Sequence, residues 1–328
     1  MTLYKKDFKS AAVATMGNVK RASGMANANK EPKDWGLINV SVCNMRIAPD
    51  LNAGMSTQGL LGMPVHILKD EDWLQVETPD GHTAWVHPSL VHRVTRQELS
   101  EWNKKPQLII TSPFCIVYSQ PRRTSRIVSD VVACNRLMYL GARNAYYKVV
   151  YPDGRIGYVS KRDADEINHW RKLLDNSVSG LIKSGMSMLG FPYMWGGMST
   201  KGMDCSGFIR TMLLMHDVIM PRNASQMARK GRHIDIASNF TNIEPGDLIF
   251  FGQKANFMDS AKVSHVAFYI GNRKFLHSLG MVRIGSFDPK DPFFELYGLK
   301  YLLWAQRILP YIDRVPGLFT TPNCDFYK

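Results

Sequence analysis

Several things are missing from this chain, and each absence removes a class of function. The five cysteines, Cys43, Cys115, Cys134, Cys205 and Cys324, form no CxxC pair, and the histidines are too scattered for zinc-ligand spacing. No metal or cofactor is expected. Their odd number leaves at least one thiol unpaired within the chain. No apolar run is long enough to span a bilayer. No run of five Lys or Arg residues and no DNA- or RNA-binding motif occurs, so nucleic acid is not expected as a partner. The first thirty residues carry Lys5, Lys6 and Lys9 before a small-residue stretch from Ala11 to Met16, whose apolar core is too weak for a signal peptide.

What is present is a chain of 328 residues, long enough for two or three domains, with 45% hydrophobic and 21% charged residues. This is the composition of a folded protein, not a disordered one. The net charge of +13 predicts attraction to polyanions. Cys43, Cys115 and Cys134 lie in strand-like stretches and read as small buried hydrophobes.

The first half repeats itself. Residues 73–86 (WLQVETPDGHTAWV) and 146–159 (YYKVVYPDGRIGYV) match at an offset of 73, with Val76, Pro79, Asp80, Gly81 and Val86 returning as Val149, Pro152, Asp153, Gly154 and Val159. Each copy runs a β-prone segment into a Pro-Asp-Gly turn, where proline presets φ and glycine accepts a positive value, and then into a second strand. Two β-barrels of about sixty residues are the expectation, at 36–94 and 107–165. Residues 95–106 join them as a helical linker, with Thr95 and Glu98 at capping-box spacing. An N-terminal segment 1–35, a third domain at 166–313 and a tail at 314–328 complete the division.

In the second half the pattern turns helical from Ala164 to Ser187, with Ile167, Trp170, Leu173, Leu174, Val178, Leu181 and Ile182 on one face. A glycine-rich turn, Gly190–Gly197, leads into Gly202-Met203-Asp204-Cys205-Ser206-Gly207-Phe208. Phe208, Ile209, Met212, Leu213 and Met215 then recur at helical spacing, which puts Cys205 at a helix start. The helix dipole there is expected to lower the thiol pKa toward a reactive thiolate. Asp204 and Ser206 are each equally well explained as helix caps.

His265 lies in a strand-like run, Val263–Ile270, and His277 in the returning run after a turn at Gly271-Asn272-Arg273. A loop centred on Gly271 would set the two histidines directly opposite each other, whereas a two-residue loop at Asn272-Arg273 would spoil that register. The combination predicts Cys205 as nucleophile, His265 as its base and His277 as the group that orients the base. His216 and His233 read as structural or surface residues.

These motifs resemble those of the NlpC/P60 cell-wall peptidases, papain-like thiol hydrolases, over roughly residues 175–310. The likeness rests on Pro192-Tyr193-x-Trp195-Gly196-Gly197, Asp204–Phe208, Pro221-Arg222 with Ser225-Gln226, Pro245–Phe251, Ser264-His265-Val266 and His277-Ser278. The repeats resemble bacterial SH3-like modules. The resemblance implies an α+β fold, a papain-like catalytic domain preceded by two small SH3-like β-barrels, with Cys205, His265 and His277 as its triad. It also implies substrate contacts from Tyr193, Asp204, Ser206, Arg222 and Ser225, and from His82 in the first module. A packing role is the lesser alternative for Tyr193. The activity implied is hydrolysis of the γ-D-glutamyl–diamino acid bond in peptidoglycan stem peptides with a free N-terminal L-Ala, by a monomer of the cell envelope or periplasm, with the cytoplasm as the other compartment. The other functions open to such a chain are a papain-like amidase or acyltransferase and a catalytically idle wall-binding protein. Two departures stand out: His82 replaces a tyrosine common in related modules, and Gly54 stands where a carboxylate could meet the substrate amine.

Overall fold

The computed structural model describes residues 31–255 and 260–328. The N-terminal segment expected at 1–35 falls outside this range up to residue 30. Seven strands, Trp35–Ile38, Val42–Arg46, Met55–Leu60, Pro64–Asp70, Leu74–Glu77, Thr83–Val86 and Val91–Val94, make the first sheet. Seven more, Gln107–Ile110, Phe114–Tyr118, Ile127–Val132, Arg136–Arg143, Tyr146–Val150, Ile156–Ser160 and Ala164–Glu166, make the second. Counting within each module, both sheets run third, second, sixth, fifth, fourth, first, seventh. The repeat read from Pro-Asp-Gly is thus a duplication of topology. Gly81 and Gly154 take φ of +76° and +88°, the left-handed conformation their turns need.

The helix Arg96–Lys104 joins the modules and opens with a capping box: Thr95 accepts from the Glu98 N–H while Glu98 accepts from the Thr95 N–H. Leu99 and Trp102 on its inner face pack with Leu37 and Val94.

The helical stretch expected from Ala164 to Ser187 is broken. Ala164–Glu166 is the last strand of the second sheet, Ile167–Leu173 is one helix and Val178–Met186 another. The break comes at Asp175, whose carboxylate accepts from the Ser177 N–H. Ser177 then caps the second helix by accepting from the Gly180 N–H. Periodicity alone carries across such an interruption because the apolar face resumes in phase.

The third sheet has six antiparallel strands in the order Arg232–Ile234, Leu302–Arg307, Leu248–Gln253, Lys262–Gly271, Lys274–Leu279, Met281–Ser286. One face holds Leu248, Phe250, Val266, Phe268 and Leu276 against Phe208, Ile209, Met212 and Leu213 of the helix Cys205–Leu214. The other buries Ile249, Phe251, Ala267, Tyr269, Phe275 and Phe287. Burial on both faces explains why these strands read as continuous apolar runs. Among the described residues no helix is long and apolar enough to cross a membrane.

Residues 33–328 form one compact unit, so the first module and the third sheet meet through defined contacts. Arg210, on the helix Cys205–Leu214, forms an ion pair of 2.9 Å with Asp80 in the first Pro-Asp-Gly turn, and both side chains are buried. The Met198 N–H donates to Gln58 at 2.9 Å, and Arg222 Nε donates to Thr57 at 3.1 Å.

Candidate active site

Cys205 is the first residue of its helix and Asp204 is the N-cap. Gly207 is there because the helix start presses on the preceding loop: a Cβ at 207 would come within 1.9 Å of the Gly197 carbonyl oxygen. Cys205 lines a cleft of about 410 Å³. The cleft is lined from the third domain by Tyr193, Trp195, Asp204, Cys205, Ser206, Arg222, Ser225 and Ser264, and from the first module by Ile47, Met55, Ser56 and His82. All the expected substrate residues are therefore gathered on one cleft, together with several that no motif had marked. Ile47, Met55 and Ser56 carry no sequence signal beyond their place in the first module.

The thiol accepts hydrogen bonds from the Val266 and Ser206 N–H groups, so it lies against the strand that carries His265. His265 Nε2 is 2.9 Å from His277 Nδ1. The register that produces this contact differs from expectation. The hairpin turns through two residues, Asn272 and Arg273, with φ of +51° and +60°, and Gly271 pairs with Lys274. A register shift between Tyr269 and Gly271 then sets Phe268 opposite Leu276, which continues to Ala267 opposite His277. The histidines are diagonal neighbours on one face. Diagonal side chains lie farther apart than opposed ones, but two imidazoles span that gap.

Beyond His277 comes a residue that the sequence reading missed. His277 Nε2 lies 3.1 Å from Glu295 Oε1, and Arg283, directly opposite His277 on the next strand, reaches both: Nε to His277 Nε2 at 3.3 Å and a terminal nitrogen to Glu295 Oε1 at 2.9 Å. Its only sequence signal is weak: Glu295 is the lone carboxylate between Pro292 and Lys300.

Electrostatics correct a second expectation. Burial pushes the Cys205 thiol up to about 11, and the adjacent Asp204 carboxylate adds to the effect. Burial drives His265 down to about 3, with smaller contributions from the neighbouring His277 and the Arg283 guanidinium. Both shifts favour a neutral thiol beside a neutral imidazole over a preformed thiolate. The helix start does not lower this thiol because burial outweighs the dipole, and the Asp204 carboxylate at the N-cap adds to the burial effect.

Asp204 itself is saturated. Its Oδ1 accepts from the Gly207 N–H at 2.7 Å, from Ser206 at 3.1 Å and from Arg222 at 3.1 Å. Its Oδ2 accepts from the Gly196 N–H at 2.9 Å and from Arg222 at 2.5 Å. Ser206 accepts from Arg222 at 2.8 Å. A carboxylate has about four lone-pair sites, and all are used. Tyr193 is a phenol kept protonated, pushed up to about 12 by burial and by the neighbouring Cys205 and Asp204. His82 sits 2.7 Å from Ser56 and is held below the usual imidazole value by burial, with Arg210 and Arg222 reinforcing this against Asp80.

Cys43, Cys115 and Cys134 are buried, as expected for small hydrophobes, and Cys324 is buried as well. Cys134 is not in a strand, however, but in a turn with φ of +67°. His216 is buried between Ser184 and Asn176, away from the cleft, and is structural.

A thiol at a helix start, beside a hairpin whose two strands carry a histidine pair, defines a papain-like thiol hydrolase. Residues 190–296 match the NlpC/P60 family, and residues 45–89 match the bacterial dipeptidyl-peptidase SH3 domain. A gamma-D-glutamyl-L-lysine dipeptidyl-peptidase of Bacillus cereus is 30% identical over 233 residues, which cover 68% of this chain and 67% of that protein. Dipeptidyl-peptidase 6 of Lysinibacillus sphaericus is 26% identical, over 79% of this chain and 94% of its own. A crystal structure of an NlpC/P60 family protein from Bacillus cereus aligns with a TM-score of 0.70 and 25% identity, over 84% of this chain and all of that one. The chain belongs to the NlpC/P60 family of cysteine peptidases, with an N-terminal SH3-like domain.

Proposed function

We propose that the protein hydrolyses the γ-D-glutamyl–diamino acid bond of short peptidoglycan stem peptides, with Cys205 as nucleophile, His265 as base and His277 as orienting residue. The observation that carries this reading is the cleft itself, which the Cys205 thiol shares with Ser56 and His82 of the first module. First-module residues on this cleft restrict the space on one side of the thiol, which suits a short peptide better than intact polymer. Relatives named for γ-D-glutamyl-L-lysine dipeptide release support the bond assignment. Such a substrate goes with a cell-envelope location.

Because His265 Nε2 is engaged by His277, Nδ1 is the nitrogen left to receive the thiol proton. The sulfur attacks the γ-carbonyl as that proton moves. The tetrahedral oxyanion meets the Cys205 N–H, one of the helix's unpaired donors, and the protonated Tyr193 hydroxyl. Collapse breaks the C–N bond, and His265 returns the proton to the departing amine. The resulting thioester is then hydrolysed by water, with His265 again taking a proton.

The free amine of an N-terminal L-Ala would lie toward His82, Ser56 and Ser225. A second reading is favoured by one observation: among the described residues, the one carboxylate lining the cleft, Asp204, is already paired with Arg222. A site of that kind also tolerates an uncharged N-terminus. Incubation with L-Ala-γ-D-Glu-diaminopimelate and its N-acetyl form, beside a Cys205→Ala control, separates the possibilities. Release of diamino acid from the free peptide alone supports the amine requirement, and equal release from both supports the second reading. No release from either contradicts the proposal.

A further inference from the structure

The triad does not end at His277. We propose that Glu295 is a positioning residue that sets the tautomers of both histidines, an inference that rests on the thiol-hydrolase reading above. The reason lies in the two competing partners at His277 Nε2. Glu295 Oε1, at 3.1 Å, can only accept while ionised, so it demands a proton on Nε2. Arg283 Nε, at 3.3 Å, can only donate, so it demands a bare Nε2.

Each choice propagates through the 2.9 Å contact between the histidines. If Nε2 of His277 carries the proton, its Nδ1 accepts from His265 Nε2–H, and His265 Nδ1 is left with a lone pair for the thiol proton. If Arg283 prevails, His277 Nδ1–H donates to His265 Nε2, and His265 carries its proton on Nδ1. That form cannot act as a base toward Cys205. Glu295 therefore selects the productive chain and Arg283 alone would select the idle one.

The surroundings favour the carboxylate. Burial opposes its charge, but the hydrogen bond from His277 and the charge of Arg283 hold it below the usual glutamate range, so it stays an acceptor. Its side chain is 13% exposed and that of His277 is 1% exposed, so little water competes at Nε2. Space for it comes from Gly285, where a Cβ would stand 3.2 Å from the Glu295 carboxyl carbon. The backbone is pinned by its N–H donating to the Ser286 carbonyl at 3.0 Å. Arg283 donates to the same Oε1, so its guanidinium holds the carboxylate in place while Glu295 is present.

The test has a direct arm and a kinetic one. In protein labelled with 15N-histidine, His277 Nδ1 should show a pyridine-type shift in the native chain and a pyrrole-type shift in Glu295→Ala. A pyrrole-type Nδ1 in the native chain overturns the proposal, whatever the substrate proves to be. With a cleaved stem peptide, Glu295→Ala should lower kcat by about 10²-fold with KM within about twofold, since a base in the wrong tautomer loses proton transfer and not binding. Adding Arg283→Ala should then restore about tenfold of that loss, because the competing donor has gone. A purely structural role predicts the reverse, with the double variant no better than the single. The isosteric Glu295→Gln, whose oxygen can still accept from Nε2–H, should keep most of the activity and the native fold. If Gln is as inactive as Ala while still folded, tautomer selection is wrong.

Discussion

The two SH3-like modules have the same strand order and the same Pro-Asp-Gly turn, yet only the first reaches the active site. Asp80 in the first turn is buried against Arg210 of the helix that carries Cys205. Its counterpart Asp153 pairs instead with Arg155 in its own turn, partly exposed, and accepts from Asn39 of the first module. Two residues after each aspartate the difference recurs. His82 lines the catalytic cleft, whereas Arg155 lies over the Tyr151 ring of its own module, 4.5 Å from the centroid. The duplicated turn was therefore put to two uses by changing what each aspartate meets. The geometry of a repeat is cheap to copy, and its partners decide what it does.

The largest effect that would sharpen this contrast is in stability. Asp80→Ala leaves the Arg210 guanidinium buried without its ion pair, and should cost about 3–5 kcal/mol in urea unfolding. Asp153→Ala breaks a partly exposed pair and should cost less than about 1 kcal/mol. Equal costs would break the comparison. Next comes activity on a short stem peptide: His82→Ala should lower kcat/KM by about tenfold, the scale of one lost pocket contact. Arg155→Ala should leave kcat/KM within about twofold, as expected away from the cleft. The smallest effect concerns the residue before the third strand of each module, Gly54 and Arg126. A Cβ at Gly54 meets only Ile47, at 3.5 Å and beyond, so a side chain fits there. Gly54→Glu should raise the preference for the free over the N-acetylated peptide by up to about fivefold, the worth of one exposed charge pair. Arg126→Glu should leave that ratio unchanged.

The repeat, the capping box at Thr95 and the helix start at Cys205 were legible in the sequence because each is local: turn residues, cap spacing and periodicity act within a few positions. Both histidines were legible as strand residues, but their register was not. A register shift near Ile270 and positive φ at two non-glycine residues replaced the expected loop, and the contact survived as a diagonal one. The thiol's protonation was illegible for another reason. The rule that a helix start favours an anion assumes an exposed end, whereas here burial penalises the thiolate and the Asp204 carboxylate adds to that penalty. Glu295 lies eighteen residues beyond His277, in a stretch without periodicity, and only the folded chain brings it to the imidazole.

The most direct test looks for the covalent intermediate. Rapid quenching of the protein with L-Ala-γ-D-Glu-diaminopimelate, followed by peptide mass mapping, should show an L-alanyl-γ-D-glutamyl thioester on Cys205 and on none of the four other cysteines, with no adduct in Cys205→Ala. Release of the diamino acid by Cys205→Ala, or an acyl group carried on another cysteine, would contradict the assignment.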